Sequence, residues 1–539
     1  MMNFKMRFIK NILPILALAF ASQACEDFLD KEPLGVETDR TFYENAGNAE
    51  LAVNGIYDAV SWDAGGVIGS GNTFEWMYGD ILSDDARKGS TSGDYIEIKQ
   101  MERWETLTNA PIQSSTWNNM FTAIHRANQV LSYLPTSSID EELKARLLGE
   151  AHFLRGYSYF NLVIKFGGLP LMEEPTAPAE WGQLQRASIA ETYAFIENDL
   201  QQAIEMLPQR SEYAAADLGR ATQGAARAFL ARAYMYQIGT DNSNGVTWQD
   251  VYNQTEAIIN SGEYSLFSNY AGLFEIENEN NVESIFEIQF SEAATGWGPP
   301  KTGSANSVIQ NNRSTWGWGF NNPTLDFVGE FEERDPRLPV SVYSDGDIVA
   351  GELQEIDYPG QNETGYLNRK AFVEPGFRPS DAQNSPKNII KFRYADVLLM
   401  HAEAAYHLGN ESEARELVNQ VRQRARNSTR PKGSTEVGAT GYVPYQNLSG
   451  VLPDVTASGQ ELLQAIWHER RVELGMEALR YYDLVRTGRY LNALEQKYSA
   501  QARSNAERHL VQGTDNPFPV LPIPINEAQA WGIQQNPGY

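Results

Sequence analysis

The 539-residue chain is 42% hydrophobic and 21% charged, enough to bury a large core and unlike the composition of a disordered chain. Its 70 acidic and 43 basic residues give a formal net charge of −27, which argues against nucleic acid and against electrostatic docking on anionic lipid, since both rest on Lys and Arg. The single cysteine excludes an internal disulfide and a thiolate zinc site.

The first element is a secretory signal over residues 1–24. Lys5, Arg7 and Lys10 give it a basic start, an apolar run from Ile12 to Ala21 follows, and Ser22, Gln23 and Ala24 lead to Cys25. The run falls short of the roughly 20 apolar residues that span a bilayer and has the length of a signal segment. The small residues around Cys25 mark a lipoprotein processing site, with Gln23 a departure from the small or apolar residue usual there. Beyond residue 24 no apolar run is long enough to cross a membrane, so a lipidated Cys25 is the expected anchor. One acyl chain holds a protein only marginally, whereas several suffice. Residues 26–44 read as an extended tether.

From about Ala46 helical periodicity takes over. Leu143, Leu147, Ala151, Leu154 and Ser158 share one helix face, and Gly167, Gly168 and Pro170 end that helix. Ser188 is placed to cap the next, which runs to about Leu207 before Pro208. Two helical hairpins follow. In the first, Ala226, Leu230, Ala233 and Tyr234 form a stripe that ends at Gly239, and a second helix runs through Trp248, Tyr252 and Ile259. In the second, a Leu398, Ala402 and Ala405 stripe gives way at Gly409-Asn410 to Ala414, Leu417, Val418, Val421 and Ala425. Alanine-rich pairs of this length resemble tetratricopeptide repeats, with the consensus loosely kept. Between about 265 and 390 Gly, Asn, Pro and Trp rise, periodicity is lost, and short β-like runs such as Ser284–Phe290 appear. So long a helix-free stretch is usually functional. It reads as a loop-rich lobe on a helical scaffold of about 45–262 and 391–500. Pro517, Pro519, Pro522 and Pro524 exclude helix near the end.

Several segments resemble the SusD/RagB family of outer-membrane nutrient-uptake lipoproteins, in the expected order and along nearly the whole chain. They are Cys25–Pro33, Ala151–Phe160 with Phe166–Pro170, Gly219–Ala226, Arg393–Ala404 with Asn419–Arg422, Glu469–Leu474, Asp483–Gly488, and Leu521–Pro524 with Gln535–Tyr539. The resemblance implies an all-α fold of tetratricopeptide-like hairpins with a variable ligand-binding lobe and minor β, occupying residues 25–539. It implies surface display, which Glu26 and Asp27 after the cysteine fit. It also implies a partner, a TonB-dependent SusC-like outer-membrane transporter that the lipoprotein covers as a lid. Glycan capture is the leading expectation. A peptide-uptake lid on the same scaffold and a surface glycoside hydrolase are the alternatives.

No specific catalytic constellation appears. His125, His152, His401, His407, His468 and His509 lack metal-ligand spacing, Gly89–Gly93 centres on Thr91 where a nucleophile elbow has Ser, and no phosphate or dinucleotide loop is present. No cofactor and no metal is expected. Glu469, Arg470, Arg471 and Glu473, with Glu477 and Arg480 a turn on, read as helix-stapling ion pairs at i,i+3 and i,i+4 spacing.

Sugar binding needs flat aromatic faces for pyranose C–H surfaces and polar partners for hydroxyls. Trp117 and Trp467 lie in helix stripes and read as packing. Trp297, Trp316 and Trp318 are set among glycines in the lobe, which gives them few apolar neighbours and favours exposure. The Ser83–Lys88 loop, with Asp84, Asp85 and Arg87, leads to Tyr95 and is dense in hydrogen-bonding groups. The expected platform is Trp297, Trp316, Trp318 and Tyr95 with Asp84, Asp85 and Arg87, if the fold brings two distant segments together.

Overall fold

Local signals place the helix ends. Asp140 accepts hydrogen bonds from the N–H groups of Glu142 (3.1 Å) and Leu143 (3.0 Å), and so starts a long helix that Gly167 ends with a positive φ of 74°. Ser188 and Glu191 cap one another's backbone N–H groups at the head of the following helix. The computed structural model describes residues 39–62, 73–292 and 302–539. The signal segment, Cys25 and Trp297 lie outside the described residues.

The fold is mainly helical. Its long helices are α1 (Ala46–Trp62), α2 (Pro111–Tyr133), α3 (Glu141–Phe166), α4 (Ile189–Met206), α5 (Gln223–Thr240), α6 (Trp248–Ser261), α7 (Tyr394–His407), α8 (Glu411–Arg426) and α9 (Gly459–Leu474). Each packs against the next, so the row continues from α1 to α9. Ala225, Ala226, Ala228, Ala231 and Ala233 on α5 are buried, and their small side chains let its neighbours approach closely. The chain leaves the row after α6 and re-enters at α7, which packs on α6 although more than 130 residues separate them.

That excursion holds short helices and two-stranded antiparallel ladders. Strand β1 (Ala86–Gly89) pairs with β3 (Phe320–Pro323), β2 (Ser284–Ile288) with β6 (Ile389–Arg393), and β4 (Val342–Ser344) with β5 (Tyr366–Asn368). A second irregular region, residues 427–458, interrupts what the sequence reading took as scaffold. Its glycines and prolines, Pro431, Gly433, Gly438, Gly441, Pro444, Gly450 and Pro453, account for the loss of helix. The prolines of residues 517–524 lie in irregular chain, as their spacing requires.

The charges on α9 are stapling residues, but their partners are not the i,i+3 and i,i+4 neighbours expected. Glu473 is met by Arg393 (2.6 Å), Arg424 (2.5 Å) and Arg337 (3.1 Å), and Glu469 by Arg337 (2.5 Å) and Arg422 (3.1 Å). Arg470 reaches Asp396 on α7 (2.6 Å) and Asp483 (3.2 Å). These pairs tie the lobe to α7, α8 and α9.

Asp80 sits at another crossing. A Cβ on Gly79 would fall 1.9 Å from the carbonyl oxygen of Ala478, so only glycine permits this approach. Asp80 is buried there with two donors, Ala478 N–H (3.0 Å) and the Asn321 amide (2.9 Å), and no cation among its bonded neighbours. Burial pushes its carboxyl up to about 7. The folded state therefore holds more protons than the unfolded chain between pH 4 and 7, and Asp80's contribution to stability falls as pH rises through that window, by on the order of 4 kcal/mol. The difference in melting temperature, Asp80→Asn minus wild type, should climb from pH 4 to pH 7 and then level off. A flat difference across that range would remove Asp80 as the source.

Candidate functional site

The two segments expected to form the platform meet. Strand β1 places Gly89 opposite Phe320 of β3, and Ser90 N–H donates to the Gly319 carbonyl (2.7 Å). Arg313 closes the junction by donating to Ser90 Oγ (2.7 Å) and Asp94 (2.5 Å). Tyr95, 37% exposed, stands edge-on to Phe320 with ring centroids 5.9 Å apart. Phe320 in turn contacts Trp76 at 6.4 Å. An aromatic row thus runs from the surface at Tyr95 inward to Trp76.

Trp316 and Trp318 lie on the turn before β3, half-buried and packed against the main core. The flanking glycines have a different cause from the one inferred. A Cβ on Gly317 would lie 2.2 Å from the Asn311 carbonyl oxygen, and Gly319 has a φ of 76°. They shape a tight turn whose backbone bonds run from Trp316 N–H to Asn312 O (3.1 Å) and from Trp318 N–H to Val308 O (2.9 Å). The Arg378 guanidinium lies 5.5 Å from the centre of the Trp316 ring and is held by Glu352 (2.7 Å).

The structure gives the Ser83–Lys88 loop another place. Asp85 is buried against Arg471 (2.8 Å), and half-buried Asp84 accepts two bonds from Arg480 (2.7 and 2.8 Å). Burial alone would raise the Asp84 carboxyl, but the bonds and charge of Arg480 hold it well below the usual carboxylate range. Arg87 donates to the Lys497 carbonyl (3.0 Å) and lies 4.0 Å over Tyr498. These groups face protein partners and fasten the loop behind the aromatic row; their density in the sequence reflects stapling.

A cleft open to solvent lies on the inner side of that row. Trp76 and Phe274 line it with rings, and the amides of Asn306, Gln310 and Asn368 line it joined to one another, Gln310 to Asn306 (3.1 Å) and Asn368 to Gln310 (2.9 Å). Two ion pairs lie on its lining: Glu75 with Lys391, and Lys370 with Glu477 (2.7 Å). Burial would raise Glu75, but Lys391 and Lys165 bring it down to about 2, so it stays ionised. Trp76, Glu75 and the lobe amides escaped the sequence reading. Trp76 sits in a stretch that looks like ordinary core, and the asparagines were visible only as a rise in composition.

Burial raises the carboxyls of Glu275, Glu279 and Glu287 on the cleft lining, Glu279 to about 7. Glu279 and Glu287 bind one residue, Asn388, through its backbone N–H (2.7 Å) and its side-chain amide (3.0 Å), and so lie on one wall. Glycosidic cleavage needs two carboxyls facing each other across the bond. Among the described residues no group of three or more His, Cys, Asp or Glu could hold a metal ion, and no helix is long and apolar enough to cross a membrane.

Comparison with known proteins covers most of the chain. Residues 282–539 match the model of the SusD family, and residues 28–235 match one described as starch-binding associating with outer membrane. The SusD-like protein P25 of Formosa agariphila is 26% identical over 97% of both chains. A SusD-like protein of Bacteroides ovatus is 26% identical over 90% of this chain and 84% of its own. Among solved structures, a laminarin binding SusD-like protein superposes with a TM-score of 0.72 at 28% identity, over 92% of this chain and 99% of that one. Surface glycan-binding protein A from Bacteroides thetaiotaomicron, solved with laminarihexaose, shares the fold with a TM-score of 0.69 at 21% identity, over 91% of this chain and 99% of that one.

Proposed function

The chain belongs to the SusD family, and on that premise we propose that it is a cell-surface lipoprotein that captures oligo- or polysaccharide and hands it to a TonB-dependent SusC-like outer-membrane transporter. The observation that carries the reading is the aromatic row from Tyr95 to Trp76, with Trp316 and Trp318 near its outer end and an amide-lined cleft at its inner end. Aromatic faces suit pyranose rings, and amides suit their hydroxyls. A relative 28% identical is described as laminarin binding, which makes a glucan the first ligand to try. The anchor is Cys25, and capture proceeds without turnover. The lipoprotein has no span of its own in the described residues, so inward movement falls to the partner barrel.

Affinity electrophoresis of the purified protein through gels containing laminarin, starch, xylan, pectin or alginate tests the reading. Retardation by at least one glycan is expected, with no new reducing ends released on incubation. Migration unchanged in every gel, together with capture of members of a peptide library, would replace the glycan with a peptide. Release of reducing ends that is lost on changing one carboxylate would make the protein an enzyme.

A further inference from the structure

A small recess adjoins the cleft and shares the walls Phe274, Glu275 and Lys387 with it. Three cations line the recess: Arg369, Lys387 and Lys432. Lys432 is paired with Glu277 (2.5 Å), and Glu275 accepts from the Tyr442 hydroxyl. Lys387 is buried and donates one bond, to the Phe372 carbonyl (2.6 Å). Arg369 differs from the other arginines around it. Its backbone N–H bonds to Ser341 O, but among the described residues its half-buried guanidinium makes no hydrogen bond and no ion pair. Across the same recess Glu374 holds one carboxylate oxygen buried without a donor.

Hydrogen-bond accounting then fixes the ligand chemistry. A guanidinium offers five N–H groups and an ammonium three. In the recess one guanidinium and one carboxylate oxygen thus go without a hydrogen bond, while Glu275 and Glu374 balance the charge of Arg369 and Lys387 at longer range. Half-burying a guanidinium without a partner is costly, and burial brings Arg369 down to about 10. A planar oxyanion is the natural counterpart of this fork. The lone Glu374 oxygen asks for a hydroxyl on the same ligand. We propose that the recess takes the acidic group of a sugar residue whose ring lies in the adjoining cleft, with Arg369 and Lys387 meeting its anionic oxygens, as a uronate carboxylate or a sulfate ester, and Glu374 taking a hydroxyl. The inference rests on the glycan reading above and narrows it. The chain's net charge of −27 repels dense polyanions, so the fitting ligand carries isolated acidic groups on a largely neutral chain.

The test titrates the purified protein with D-glucuronate, D-glucose 6-sulfate and D-glucose by saturation-transfer NMR, with Arg369→Gln in parallel. Wild type should bind at least one acidic sugar about ten-fold more tightly than glucose, and Arg369→Gln should bring the two within about two-fold. Which acidic sugar wins separates carboxylate from sulfate recognition. Arg369 has no side-chain hydrogen bond to lose, so the variant's melting curve should stay close to wild type; Lys387→Gln is the second variant should it not. Equal binding of all three sugars, or a preference that survives loss of Arg369, would overturn the proposal. Electrophoretic retention by a neutral glycan should be unchanged in Arg369→Gln, so failure of this inference and failure of the glycan reading give different results.

Discussion

Replacing Glu473 by Gln is expected to destabilise the protein by about 3–5 kcal/mol, the usual cost of breaking one partner out of a buried charge cluster. Glu473 is fully buried, and its carboxylate is shared by Arg337, Arg393 and Arg424. Those arginines come from the lobe, the start of α7 and α8. Its backbone carbonyl accepts from Tyr270 (3.0 Å), Arg393 (2.7 Å) and Lys370 (3.0 Å), so lobe and scaffold converge on one turn of α9. Gln keeps the volume and the backbone bonds but removes the charge, leaving three guanidiniums with too little compensation. Urea unfolding of the two proteins measures the loss. The pH dependence carries a sign. Burial would raise the Glu473 carboxyl, but Arg424, Arg393 and Arg337 hold it far below its usual 4.5. Its stabilisation is thus complete above about pH 4.5 and drains away as pH falls toward the folded value. The gap between wild type and Glu473→Gln should shrink below pH 4.5. A gap under about 1 kcal/mol at pH 7, the range of exposed pairs, would show that the cluster is redundant.

The same cluster shows what a single sequence can and cannot display. The helices were legible because burial on one face leaves a period that the sequence carries by itself. Leu143, Leu147, Ala151 and Leu154 are enough to draw α3, and Ser188 with Glu191 is enough to start α4. Charge pairing carries no such local mark. Glu473 looks like a partner for its helix neighbours, but Arg337 lies 136 residues away. Asp85 looks like a ligand group on a polar loop, but Arg471, which takes it, is 386 residues on. Only the register of β1 against β3 brings Tyr95 beside the Trp316 turn, and a four-residue strand such as Ala86–Gly89 gives little sequence pattern to read. Arg369 was missed for a related reason. An Arg-Lys pair in a polar lobe resembles solvated surface until the chain folds a recess around it.

The Asp85 and Tyr95 placements also separate two classes of residue within the expected platform, and Trp316 decides between them. Trp316→Ala is expected to weaken binding of the captured glycan by about ten-fold or more, because a few aromatic anchors dominate most binding sites. Its ring is half-buried, so the same change should cost about 1–2 kcal/mol of stability, small beside the Glu473 loss. Tyr95→Ala should lower affinity as well, at a stability cost of about 1 kcal/mol, since the ring is 37% exposed and packs edge-on to Phe320. Asp85→Asn should do the reverse. Arg471 loses a buried carboxylate partner, the unfolding midpoint falls, and the folded fraction keeps its affinity. Isothermal titration against the retained glycan, with urea midpoints for each variant, reads both axes. Affinity lost by Asp85→Asn and kept by Trp316→Ala and Tyr95→Ala would move the site off the aromatic row and onto the Ser83–Lys88 loop. The predicted pattern instead assigns the row to the ligand and the loop to the fold, the second in keeping with the protein partners of Asp84, Asp85 and Arg87.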